Sequence, residues 1–490
     1  MNAICSCFTA WSTWCTLWAV PSALVLILAA LHFARHKKKP KWLLRKIEWL
    51  RTFYVWLGAL AILGGTWAFF LPIALNSGFT KNDDGPVLRQ LLIYATGGLL
   101  GAITLGETRR KNDQEHMRQV HAERRSRYTK AVEQLADEKA PIRLGGVYTL
   151  AKLVDDWLDD EKTLPSEKER RQEGQIIIDS LCAYIRSSFP LAERYDELTL
   201  SYEEYQQKYQ DNQGKNQSTQ SVENSADNST PKPEEHQDNK QSREEFVRDK
   251  SIFREEQEVR QTILSEIEKR LNGGTTKNKD GRDEIKPGTW SYFEYDFSNA
   301  VFFYPTDFRS SLFGNSSNFF QATFTVGANF SNVKFTRSAN FSGATFIEHA
   351  NFPNVKFTED ADFSMAEFTG SADFFEAKFT DADFSWAEFT GYAYFSMAEF
   401  TKNANFSTAK FTKNANFSGA TFEEKPQFEY ALGNKTYKAR FSCKADSKDY
   451  NFEVSPDSPY KIETEEKEYN ETKFIIPKGT ELFDPDEPSE

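Results

Sequence analysis

Ala339-Asn340-Phe341-Ser342-Gly343-Ala344-Thr345-Phe346-Ile347-Glu348-His349-Ala350-Asn351-Phe352 is the stretch that decides the fold. Phe recurs in it at steps that alternate between five and six, and Ala stands two places before each Phe. The pattern continues on both sides, from Phe319 to Phe428, with Val at a few of the Ala positions and a double unit of 11 residues. One residue is missing between Phe379 and Phe384.

Such a period is tested first against a helix. At about 100° per residue, Ala, Phe, Ala and Phe at offsets of zero, two, five and seven scatter round the axis and make no apolar face. In extended chain, residues two apart point to the same side. Each Ala-x-Phe triplet is therefore a short strand with both side chains inward. The residues between triplets are mostly Ser, Thr, Asn, Asp, Gly, Lys and Glu, many of them corner formers. The expected fold is a β-solenoid whose coils stack about 4.8 Å apart. Its expected inward ladder is Phe330, Phe335, Phe341, Phe346, Phe352, Phe357, Phe363, Phe368, Phe374, Phe379, Phe384, Phe389, Phe395, Phe400, Phe406, Phe411, Phe417 and Phe422.

The units Ala339-Asn340-Phe341-Ser342-Gly343 and Ala382-Asp383-Phe384-Ser385-Trp386 resemble the five-residue unit of the pentapeptide-repeat family. The extra residue in every second unit resembles the Phe-rich variant of that family. The resemblance covers residues 292–428 and implies a right-handed quadrilateral β-helix with four units per coil. The stretch Arg143-Leu144-Gly145-Gly146 and Leu181-Cys182-Ala183 is similar to the helical segment that precedes the repeats in membrane-linked members.

The rest of the chain is unlike the repeat. It has 490 residues, 42 of them Phe, and a net charge of −12. That charge argues against direct nucleic-acid binding, which uses Lys and Arg on phosphates. The five cysteines, Cys5, Cys7, Cys15, Cys182 and Cys443, show neither a disulfide framework nor a zinc spacing.

Residues 1–34 lack Lys, Arg, Asp and Glu. Apolar segments at 11–34, 53–75 and 91–105 are the expected membrane spans; about 20 apolar residues cross a bilayer. A cleaved signal peptide is the rival for the first segment, and a soluble core helix is the rival for the short third one. Arg35, Lys37, Lys38, Lys39, Lys41, Arg45, Lys46 and Arg51 lie between the first two segments, and Arg109, Arg110, Lys111, Arg118, Arg124 and Arg125 follow the third. Short basic loops stay in the cytoplasm. Three spans satisfy both clusters, with the N-terminus outside and the soluble part inside.

The expected organisation is multi-domain: N-terminal transmembrane helices (1–106), a small α-helical module (107–205), a disordered linker (206–243), a helix (244–272), the solenoid (290–430) and a C-terminal cap (431–490). The linker is rich in Gln, Asn, Ser, Asp and Lys and has too little apolar surface to fold. Neither a phosphate loop, nor a nucleophile elbow, nor a metal-binding His spacing occurs. The sequence therefore predicts no catalytic residues, no metal and no cofactor. It predicts an integral protein of the bacterial inner membrane that acts as a scaffold for a protein partner; a homo-oligomer is compatible with it. The alternative is an acidic mimic of nucleic acid that binds a DNA-processing enzyme such as a topoisomerase. Residues 290–430 hold 17 Asp or Glu against 9 Lys or Arg, an acidic but mixed surface.

Overall fold

The computed structural model describes residues 53–74, 85–208, 242–277 and 283–487. The expected first span, 11–34, and most of the expected linker lie outside the described residues. The chain divides into two units, Met1–Ala122 and Glu123–Glu490.

In the first unit, helix α1 covers Phe53–Ala74 and is apolar along its length. Helix α2 begins at Gly85 and runs without a break to Leu135. The sequence reading ended an element near residue 106, but nothing there stops a helix: Gly106 is followed by a long run without Pro, and helices continue through single glycines at a cost of about 1 kcal/mol. The two helices meet where Gly64 faces Thr96. A Cβ on Gly64 would lie 2.2 Å from the Thr96 methyl carbon, so only glycine permits that approach. Of the other glycines in this unit, Gly97, Gly98 and Gly101 face open space.

The second unit begins with the end of α2. Helices α3 (Ala140–Leu158) and α4 (Glu167–Arg186) follow. Pro141 sits in the first turn of α3, where its missing N–H costs nothing. Ser166 caps α4 by accepting from the Glu169 N–H. Val147, Leu150, Val154, Ile178, Leu181 and Ile185 are fully buried between the helices. Of the Gly145-Gly146 pair, only Gly146 is needed for packing: a Cβ there would come within 2.8 Å of the Ala131 carbonyl oxygen, whereas Gly145 faces open space.

Helix α5 (Arg243–Leu271) starts on a full capping box, in which Ser242 and Glu245 satisfy each other's backbone N–H groups. It buries Val259, Ile263, Ile267 and Leu271. A helical turn over 202–208 places Tyr205 on Phe246, with ring centroids 4.8 Å apart, and Tyr202 on the same ring at 5.5 Å. The two ends of the polar segment are therefore held together. The polar composition predicts a linker between the helical module and the solenoid; the structure joins the helices on both sides of it, and the solenoid, in one compact unit. Tyrosines at its border supplied contacts that the polar composition concealed.

The solenoid follows. Each coil carries four short strands, such as Lys334–Phe335, Ala339–Asn340, Thr345–Phe346 and Ala350–Asn351. They pair in parallel with the same strands of the next coil: Ala339 with Ala361, Phe346 with Phe368, Ala350 with Ala372. The repeat distance is 22 residues, as between the bonded Ser342 and Ser364 hydroxyls. The ladders start at Tyr295 and Val301, before the regular Phe spacing sets in.

Candidate interaction surface of the solenoid

The inside of the solenoid determines what its outside can offer. The eighteen Phe of the expected ladder are all buried, none more than 2 % exposed. They form four columns of near-parallel rings. One column runs Phe335, Phe357, Phe379, Phe400, Phe422 with centroid spacings of 5.0, 5.2, 5.0 and 4.8 Å. Columns meet edge to face across the axis, as Phe341 and Phe330 do at 88°, the arrangement that aromatic quadrupoles favour. The Ala two places earlier is small enough to leave each ring its room, and Ala339, Ala361, Ala382 and Ala404 are buried as well.

The short step between Phe379 and Phe384 is absorbed at one corner. Lys356 pairs with Lys378 and Phe357 with Phe379, but Asp360 then pairs with Asp381, so Thr358 and Glu359 lie opposite Thr380 alone. The bulge lies outside the Phe stack, and Phe384 remains fully buried.

Both ends of the stack are covered. At the start, the side-chain amide of Gln175 on α4 donates to the Glu294 carbonyl and accepts from the Glu294 N–H, at 2.8 and 3.0 Å. A side chain thus stands in for a missing coil at an edge that would otherwise invite pairing. Phe303 packs between Phe189 and Phe253, each 5.3 Å away. Arg260 is buried beneath them, where it bonds Glu256, the Ile185 carbonyl and the Ser187 carbonyl. At the far end the tail continues the columns: Phe441 stacks on Phe411 at 5.0 Å and Phe452 on Phe417 at 5.8 Å. Ala439-Arg440-Phe441 is itself an Ala-x-Phe triplet, displaced by the hairpin Glu429–Leu432 and Lys435–Lys438. The Ser458 hydroxyl then accepts from the Phe422 N–H.

Corners set the outward pattern. Asx turns recur, in which Asn340, Asp362, Asp383 and Asn405 accept from the N–H two residues on. These repeat carboxylates act as corner caps. Thr336, Thr358, Thr380 and Thr401 donate to the carbonyl of a Phe in the preceding coil, so those hydroxyls satisfy backbone groups. On the faces, Lys378 pairs with Glu399 and Lys410 with Glu388 across adjacent coils.

Two opposite corners of every coil need a left-handed residue. One carries Gln321, Gly343, Met365, Trp386 and Thr408; the other carries Asn332, Asn354, Glu376, Met397 and Gly419, with φ between 52° and 71° throughout. Gly or Asn adopts that conformation easily, whereas other residues pay about 1–2 kcal/mol. Met365, Trp386 and Met397 are 62 %, 53 % and 55 % exposed. They fall at variable positions of the repeat, so its period carries no signal of them.

Among the described residues no group of three or more His, Cys, Asp or Glu is placed to hold a metal. Burial pushes the Cys182 thiol up to about 12, leaving it protonated.

The family description "Pentapeptide repeats (9 copies)" matches residues 319–364, 352–396 and 387–431. The regular part of the solenoid is therefore a pentapeptide-repeat array. No curated protein and no solved structure matches the chain.

Proposed function

We propose that the chain is a membrane-anchored, non-catalytic scaffold whose solenoid presents repeated faces to a protein partner in the bacterial cytoplasm. The observation that carries the anchoring is the exposure of the first half of α2. Val87, Leu91, Ile93, Tyr94, Leu99 and Leu105 are all exposed, and the apolar window of this helix has none of its residues buried. Helices that are apolar all round and unburied fit lipid better than water. It is the one helix among the described residues that is long and apolar enough to cross a membrane; Leu57–Phe69 in α1 is a shorter apolar stretch. The scaffold role follows from the pentapeptide-repeat solenoid, whose interior is filled with Phe and whose surface alone is left for recognition.

Acidic mimicry of nucleic acid is the weaker reading. A mimic needs an unbroken run of carboxylates, and here Lys334, Lys356 and Lys378 form a basic column in register along one face, while Lys378 and Lys410 pair with Glu399 and Glu388.

The test is fractionation followed by affinity purification. The chain is expected in the membrane fraction after alkaline carbonate washing, and the detergent-solubilised chain is expected to retain a protein partner through the solenoid. Release by carbonate would refute the anchor.

A further inference from the structure

Two consecutive coils share a corner sequence that the others lack. Asp362-Phe363-Ser364-Met365-Ala366-Glu367 is followed one coil later by Asp383-Phe384-Ser385-Trp386-Ala387-Glu388. In both, an exposed apolar residue stands between two carboxylates. The coil before has Asn340, Gly343 and Thr345 at these places, and the coil after has Asn405, Thr408 and Lys410.

The two corners are stacked in register. The Met365 N–H donates to the Ser385 carbonyl and the Trp386 N–H to the Ser407 carbonyl. Their side chains therefore leave the solenoid one above the other. Tyr437, from the hairpin that interrupts the tail, lies 5.8 Å from the Trp386 ring at a tilt of 55°. Lys435 shares that hairpin face but sits at its turn end. The result is a raised apolar strip with carboxylates on both flanks. Glu388 is paired with Lys410, whereas Asp362, Asp383 and Glu367 form no ion pair with a described residue. At the opposite edge Met397 is also exposed, but there the neighbouring Glu399 is held by Lys378.

We propose that the Met365–Trp386 corner docks a basic segment of a partner protein that carries one large apolar side chain. This deepens the scaffold reading and rests on it. The apolar side chain covers the Met365 thioether and the Trp386 ring, and lysines or arginines on either side meet Asp362, Asp383 and Glu367. An indole face also attracts a guanidinium or ammonium directly. Trp is among the residue types most enriched in the few positions that carry interface binding energy.

The experiment uses the full chain in zwitterionic nanodiscs and a fluorescent lysine-rich peptide with a single central leucine. Anisotropy is read against empty nanodiscs and against the same peptide with lysine in place of leucine. The leucine peptide is expected to bind better than the all-lysine one. Trp386→Ala combined with Met365→Ala is expected to weaken it about tenfold, the scale of an interface hot spot, while Met397→Ala leaves it unchanged. Circular dichroism confirms that each variant is folded; if the double variant is not, Asp383→Asn with Glu367→Gln replaces it, with the same loss expected. No binding above empty nanodiscs, equal binding of the two peptides, or equal affinities for the corner variants and Met397→Ala would each overturn the proposal. So would a dimer that dissociates on Trp386→Ala, since the corner would then face a second copy. None of these outcomes touches the membrane anchor, whose failure is read separately by carbonate release.

Discussion

The rings of Phe363 and Phe384 stack 5.0 Å apart and 5° from parallel, although the coil joining them is one residue short. The Phe363 N–H still reaches the Asp383 carbonyl at 2.7 Å. Interior packing thus fixes the ring positions, and the corner takes up the difference. Restoring the residue, by inserting Glu between Thr380 and Asp381, should change stability by no more than about 0.5 kcal/mol, as for surface changes in general. Chemical denaturation measures it; a loss of several kcal/mol would place the short step in the core.

Removing a ring is different in kind. Phe363→Ala should cost about 3–5 kcal/mol through lost transfer energy and a cavity. Thr369→Ala, at an exposed position, should cost no more than about 0.5 kcal/mol. Because each coil touches only its neighbours, the damage should begin locally. Hydrogen exchange would show it first at the Phe341 and Phe384 coils. Equal losses for the two variants would contradict the inward assignment.

The repeat was legible because a side chain every fifth or sixth residue can serve only one geometry, and the Ala-x-Phe spacing named it. The end cover was less legible. Gln175 meets Glu294 across 119 residues, and a lone glutamine in a helix carries no signal of that. Tyr202 and Tyr205 border a polar segment whose composition reads as a spacer, yet they bind α5 back to the helices before it. Ala439-Arg440-Phe441 did carry the repeat signature, hidden by the hairpin that precedes it. Trp386 was visible, but the left-handed conformation that exposes it was not.

Covering the ends should matter more than any single surface pair. Gln175→Ala leaves the exposed Glu294 N–H and carbonyl to water, so it should cost only the net worth of the hydrogen bonds, about 0.5–1.5 kcal/mol each. Deleting residues 440–487 removes Phe441 and Phe452 from the stack and frees the strand edges at Phe411 and Ala415. That chain should self-associate, as measured by light scattering. A monodisperse truncation of unchanged stability would show that the tail covers nothing of consequence.

Acid should loosen the helical end before the solenoid. Burial alone would raise the Asp160 carboxyl, but the Thr163 hydroxyl and N–H and the Arg124 guanidinium, 2.5 Å away, bring it down from 3.8 to about 2. A carboxylate with a lowered folded value stabilises the fold above its unfolded value and loses that contribution as pH falls through its folded one. The contribution, about 2 kcal/mol, is therefore complete at neutral pH and disappears between about pH 4 and pH 2. Asp160→Asn should lower the melting temperature at pH 7 and converge on the parent near pH 2. A constant difference across that range would rule out the ionised form as the source.

The central claim, an anchored chain with its soluble part in the cytoplasm, is tested most directly by thiol labelling of intact cells. Single-cysteine variants at Asn82 and Asn239, made in a background free of the five natural cysteines, are treated with a membrane-impermeant maleimide. The proposed topology, three spans with the N-terminus outside, is argued from the basic loops at 35–51 and after residue 106 and would put position 82 outside and position 239 inside. Labelling at 82 alone is the result the account predicts; labelling at 239 in unbroken cells would contradict it.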